Sequence, residues 1–136
     1  MIRMTSAVLL ASLSGAFAWA EEPVYSSLCW SPAGDAAGYR IKLMHDSLFI
    51  EWSEGPLYQS QTTSLSIHPD QSFEATFPAP TDEPITYAVR GRMTPEAITL
   101  ESWDWGDGHG PHPSNAVIPR REGKPEEIKD CSLGLR

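Results

Sequence analysis

The chain has 136 residues, 40% of them hydrophobic and 21% charged, and 18 acidic residues against 10 lysines and arginines give it a net charge of −8. This length and composition are typical of one globular domain. The negative charge disfavours binding to the phosphates of nucleic acids or to an anionic membrane surface.

The first twenty residues have the organisation of a secretory signal peptide. Arg3 supplies a basic start, an apolar run covers residues 7–18, and residues 18–20 form an A-x-A cleavage site before Glu21. The run is shorter than the roughly 20 residues needed to span a bilayer, and no later segment approaches that length. We therefore expect a mature protein that begins at Glu21, is periplasmic or secreted, and has no transmembrane segment.

Cys29 and Cys131 are the two cysteines of the chain. Exported proteins mature where thiols oxidise, so we expect these two residues to form a disulfide; two free thiols are the alternative. The bridge would close a loop of about 100 residues and tie the C-terminal residues 120–136 back to the start of the domain.

Prolines and glycines divide the chain into short segments with alternating apolar and polar residues, as at residues 39–43 and 87–90. No segment has the apolar spacing of an amphipathic helix. This pattern predicts an all-β, antiparallel β-sandwich. The predicted strands are residues 24–30, 38–44, 48–52, 58–67 with a break, 72–77, 85–92, 97–103 and 115–118.

Four short motifs resemble those of fibronectin type III domains, which are immunoglobulin-like sandwiches. They are LCWSP at residues 28–32, GYRI at 38–41, TYAVR at 86–90 and PSNAV at 113–117. The resemblance implies a domain over residues 21–119 in which Trp30, Tyr39 and Tyr87 face the core. The lead before Trp30 is too short for the family's first strand, so we expect residues 128–133 to lie beside the second strand in its place.

Residues 102–113 hold the densest group of chemically active side chains. The run WDWGDG at residues 103–108 is similar to the signature of PKD domains, which are also small extracellular β-sandwiches. The His-x-Tyr and Gly-x-Tyr motifs that continue that signature are absent, so the fibronectin type III resemblance ranks first.

Three interpretations of this loop remain open. It is a structural turn, in which Asp-Gly steps reverse the chain and Trp103 and Trp105 cap the sandwich. It is a ligand loop at one end of the sandwich. It is a metal site, with carboxylates for calcium or imidazoles for zinc or copper. The predicted binding residues are Trp103, Asp104, Trp105, Asp107, His109 and His112, and the metal ligands would be Asp104, Asp107, His109 and His112.

The chain lacks the sequence motifs of the common enzyme classes. It has no G-x-S-x-G elbow, no HExxH and no phosphate-binding glycine loop, and the disulfide would leave no free cysteine nucleophile. We therefore expect a non-enzymatic interaction module without a cofactor, whose partner is an extracellular or periplasmic protein or glycan. The alternatives are a metal-binding protein that uses residues 104–112, a small envelope structural subunit and a small hydrolase.

Overall fold

The computed structural model describes residues 22–53, 55–124 and 127–131, and all regular elements in these ranges are β-strands. The all-β prediction is confirmed, whereas the predicted signal peptide lies outside the described residues. The strands are β1 Val24–Ser26, β2 Cys29–Trp30, β3 Ala36–Ala37, β4 Tyr39–Leu43, β5 Leu48–Ser53, β6 Leu57–Gln61, β7 Ser64–Ile67, β8 Ser72–Pro78, β9 Thr86–Met93, β10 Ala97–Asp104, β11 His112–Pro113, β12 Val117–Arg121 and β13 Lys129–Asp130.

Ten strands form one large antiparallel sheet. Its order is β6-β5-β4-β1-β12-β10-β9-β8-β7, with β11 paired to β10. The path begins on β6 and ends on β7, and just Thr62 and Thr63 separate these two strands along the chain. The predicted break within residues 58–67 is therefore confirmed.

The break is the point at which the chain changes partner strand. The Thr62 hydroxyl accepts a 2.8 Å hydrogen bond from the Leu48 amide, and the Thr62 amide donates to the Leu48 carbonyl at 2.9 Å. One residue later, the Thr63 amide donates to the Thr76 carbonyl at 2.7 Å. The chain thus leaves β5 and joins β8, which brings the two ends of the sheet together around one core.

A β-bulge in β10 decides which of its side chains face that core. Ile98 and Leu100 are buried, and regular alternation would also place Ser102, two residues after Leu100, inside. The register against β9 shifts between Leu100 and Ser102, so Glu101 is the extra residue. As a result Trp103 is buried in the core, with 4% of its surface exposed.

The core contains a different tryptophan from the one that the family resemblance implied. Trp30 was expected to face the core, and this prediction is wrong, since its side chain is 38% exposed. Trp52 on β5 fills the core instead and is 1% exposed. The physical reason is that β2 does not continue β1 within the large sheet but pairs with β3 and β13 outside it. The expectation for Tyr87 is confirmed, and Tyr39 packs partly buried against the core.

The predicted strand 24–30 is divided in two, since Ser27 and Leu28 belong to neither β1 nor β2. The Ser27 amide donates a hydrogen bond to the Tyr39 carbonyl. Gly38 lies directly against the Ser27 carbonyl, so that a Cβ on residue 38 would collide with it. Gly38 also has a φ of 96°, which favours glycine. Such a close approach lets the chain turn out of the large sheet before β2 begins.

The small sheet has the order β13-β2-β3 and contains the disulfide. Cys29 and Cys131 are bonded, with their Cα atoms 4.6 Å apart, so the predicted pairing is confirmed. β13 runs parallel to β2, with Lys129 opposite Cys29, and the Cys131 amide donates to the Trp30 carbonyl at 2.8 Å. Residues 129–131 therefore lie beside the second strand as expected, while residues 132–136 lie outside the described residues.

β12 runs further than predicted, from Val117 to Arg121, although Pro119 lies within it. Its residues 117–119 pair with β10, and Arg120 and Arg121 pair with β1. Pro119 is therefore the last residue of β12 that pairs with β10, and the next residue pairs with β1. A proline has no backbone N–H, so a strand tolerates it best where the regular pairing is interrupted. Arg120 and Arg121 are strand residues as a result.

In the described part of the chain, no helix has the length and apolar character required to cross a bilayer.

Candidate functional site

The loop predicted as the candidate site connects β10 with β11, two strands of the large sheet that pair with each other. β10 ends at Asp104, and β11 begins at His112, which lies opposite Trp103 in an antiparallel register. The intervening residues 105–111 therefore form the closed end of a β-hairpin. Both of its ends are fixed to a strand of the large sheet.

Two aspartate side chains stabilise the backbone of this loop. The Asp104 carboxylate accepts a 2.8 Å hydrogen bond from the Gly106 amide, and the Asp107 carboxylate accepts a 2.9 Å bond from the His109 amide. Both are bonds from the residue two positions on, the pattern of an Asx turn. Asp104 and Asp107 thus stabilise turns of the loop backbone, as the turn interpretation of the sequence predicts.

Gly106 holds the loop against the neighbouring hairpin. Its φ is 66°, and a Cβ at this position would collide with the Thr86 carbonyl and the Ile85 side chain. Glycine meets both requirements because it tolerates positive φ and allows the backbone to approach closely. The loop consequently rests on the start of β9.

A cluster of aromatic rings lies beneath the loop and continues into the core. Trp103 and Trp105 have ring centroids 5.0 Å apart, and Trp105 meets Tyr87 edge-on at 5.1 Å. The indole of Trp103 also contacts Phe77 at 5.4 Å and Trp52 at 5.7 Å. Offset and edge-to-face pairs at these separations are favourable beyond the area that they bury. The two tryptophans of the loop therefore anchor it to the core.

The Trp103 indole nitrogen is buried and has no hydrogen-bond acceptor among the described residues. Its neighbours are aromatic, and Phe77 and Tyr87 present rings to Trp103 at interplanar angles of 79° and 64°. Faces of such rings are weak acceptors for N–H groups. This geometry selects a large aromatic residue at position 103 for its packing rather than for a strong hydrogen bond.

The predicted site residues fall into two groups. Trp103 is buried and Trp105 is half-buried, so both support the loop from below. Asp107, His109 and His112 are exposed, and Asp104 is half-buried. The described residues contain no group of three His, Cys, Asp or Glu side chains placed to hold a metal ion. The metal and partner-binding roles of these residues stay predictions.

Sequence reasoning did not connect this loop with the rings that support it. Besides Tyr87, the aromatic cluster includes residues from four other strands. Each occupies an inward position near the end of its strand, but the pairing register that brings these ends together is not visible in a single segment. The residues concerned are Tyr39, Trp52, Tyr58 and Phe77.

Comparison of the chain with family models, with curated proteins and with solved structures returned no match.

Proposed function

We propose that this protein is an exported, non-enzymatic binding module of fibronectin type III-like sandwich architecture. It recognises a periplasmic or extracellular protein through the loop of residues 104–112. The observation on which this proposal depends is the combination of a fixed loop backbone with exposed polar side chains at Asp107, His109 and His112.

A fixed loop is well suited to recognition because little conformational entropy remains to be lost when a partner binds. The loop from Asp104 to His112 is ordered by its own hydrogen bonds and by the rings of Trp103 and Trp105. Binding residues are commonly found on loops that a rigid sheet holds in position. Asp107 and His109 at the tip would therefore meet a partner without prior rearrangement of the chain.

The architecture and the compartment are compatible with this function. Large antiparallel sheets folded round one core place their connecting loops at the two ends, where sandwich domains bind partners. The Cys29–Cys131 disulfide is consistent with an oxidising compartment, and residues 1–20 have the organisation of an export signal.

Site-specific photo-crosslinking tests the proposal. A photoreactive phenylalanine analogue replaces His109 in the loop, and a matched variant carries it at Ser66, an exposed residue of β7. After expression in the native cell, we expect one discrete protein adduct from position 109 and none from position 66. Addition of Asp107→Ala and His112→Ala to the position-109 variant should reduce the adduct.

The same adducts from both positions, or no protein adduct from position 109, would contradict a protein-binding loop. In the second case, a rise in the unfolding midpoint with a glycan would identify that class of partner instead, since a ligand of the folded state stabilises it by mass action.

A further inference from the structure

A polar cavity of about 760 Å³ lies away from the loop of residues 104–112 and shares no lining residue with it. It is formed by the end of β1, the turn between β9 and β10, and the chain that follows β12. Four basic residues line it: Arg120, Arg121, Lys124 and Lys129. Small-molecule sites commonly have volumes of roughly 300–1,000 Å³, so this cavity has the size of a ligand site.

The concentration of positive charge here is unusual for an acidic chain. The described residues contain eight lysines and arginines, and half of them line this one cavity. Away from the cavity, Arg40 pairs with Glu51, Arg90 with Glu74, and Arg92 with Glu101. Within residues 22–53, 55–124 and 127–131, no carboxylate forms a salt bridge with any of the four cavity residues.

All four basic residues are exposed, and the backbones of three of them lie in β-strands. Arg120 and Arg121 lie on β12 opposite Tyr25 and Val24 of β1, and the Arg121 Nε donates to the Ser26 carbonyl at 3.0 Å. Lys129 lies on β13, which the disulfide holds against β2. Arginine binds phosphate and carboxylate groups through two parallel hydrogen bonds, and a positioned guanidinium loses little freedom in doing so.

Tyr25 of β1, which lies opposite Arg120, adds no negative charge beside the cavity. The Tyr25 hydroxyl donates to the Thr94 carbonyl at 3.0 Å. Burial raises the pKa of Tyr25, and the positive charge of Arg120 opposes this rise in part. The Tyr25 side chain therefore stays a neutral hydroxyl beside Arg120 at physiological pH.

Three exposed carboxylates, Glu96, Glu122 and Glu127, also line the cavity. Together with the four basic residues they leave an excess of one positive charge, whereas the whole chain carries −8. These acids would repel a ligand whose negative charge extends along its length. A ligand with its charge concentrated in one compact group can contact the arginines and avoid the acids.

We propose that this cavity binds a small ligand through a compact oxyanion with two or more negative charges, of the phosphate or diphosphate type. Arg120, Arg121 and Lys129 hold the anion, and the remaining volume of the cavity accommodates the rest of the ligand. Such a group occurs in soluble phosphate esters and in lipid headgroups. This inference is independent of the partner-binding loop.

Isothermal titration of the oxidised protein with sodium diphosphate tests the site. We expect binding that Arg120→Gln weakens about tenfold and that Arg120→Gln with Lys129→Gln weakens further, since a charge-assisted hydrogen bond contributes at least this factor. Glu122→Gln should tighten binding by removing a repulsive charge. The matched variants Arg90→Gln and Arg92→Gln neutralise exposed arginines outside the cavity and should leave the affinity unchanged.

Absence of diphosphate binding, or an equal loss of affinity in Arg90→Gln and Arg120→Gln, would overturn the proposal. Sedimentation with vesicles of phosphatidic acid, compared with phosphatidylcholine alone, distinguishes the two sources of the anion. Retention on phosphatidic acid that Arg120→Gln abolishes would assign the site to a lipid headgroup. Diphosphate binding without retention on vesicles would assign it to a soluble phosphate ester.

Discussion

Replacement of Trp103 by alanine should lower the free energy of unfolding by about 3–5 kcal/mol, the usual cost of removing a large buried aromatic side chain. Trp103 is 4% exposed and lies at the centre of the aromatic cluster, within 6.2 Å of Trp52, Phe77 and Tyr87 by ring centroid. Its loss leaves a cavity and also removes the ring on which Trp105 rests. Urea unfolding followed by far-ultraviolet circular dichroism measures the change without relying on tryptophan fluorescence.

Two further variants separate the packing of Trp103 from its chemistry. Trp103→Phe keeps an aromatic ring and removes the buried N–H, so it should cost clearly less than Trp103→Ala. Trp30→Ala removes an exposed tryptophan outside the large sheet and should cost about 1 kcal/mol or less. If Trp103→Ala were no more destabilising than Trp30→Ala, the position assigned to Trp103 in the core would be wrong.

Loss of the disulfide in a Cys29→Ser and Cys131→Ser double variant should lower the free energy of unfolding by roughly 4–5 kcal/mol. The two cysteines are 102 residues apart in sequence, and a crosslink that closes so long a loop restricts the unfolded chain strongly. The described contacts of β13 with β2 extend over just two residue pairs, so the tail should also detach locally. Urea unfolding measures the first effect, and limited trypsin digestion at Lys129 measures the second.

A matched control for this variant is the wild-type protein with its disulfide reduced, which should behave in the same way. Faster cleavage at Lys129 than in strand residues such as Arg90 would show that the tail has separated from an otherwise folded sheet. An unchanged cleavage pattern together with unchanged stability would contradict the structural role assigned to the bridge.

Much of the strand pattern could be predicted from the sequence because half-buried strands alternate apolar and polar residues. Phe73, Ala75 and Phe77 on β8 face inward at every second position, and the break at Thr62 and Thr63 falls in a run with weak alternation. The disulfide followed from there being two cysteines. Alternation is a local property of each strand, and two cysteines allow just one intramolecular disulfide. Neither prediction therefore needed knowledge of strand pairing.

Other features depend on long-range register and could not be predicted in that way. Trp103 is inside because a bulge at Glu101 reverses the alternation of β10, and such an insertion becomes visible only against its partner β9. Trp30 was assigned to the core by analogy with a family, whereas β2, which follows the close approach of Ser27 to Gly38, pairs outside the large sheet. The polar cavity is lined by both Arg120 and Lys129 because the disulfide holds the tail against β2. Four basic residues within residues 120–129 of an acidic chain were the sequence signal for this cluster.

We expect the rigid core to present the loop of residues 104–112 in one fixed conformation. Nuclear magnetic relaxation of backbone amides in ¹⁵N-labelled protein measures this directly. We predict order parameters near 0.85 for Gly106 and His109, equal to those of the strands, because their amides bond to Asp104 and Asp107. Values below about 0.6 at these amides would mean that the loop is mobile on the nanosecond timescale, and a pre-ordered recognition surface would then be contradicted.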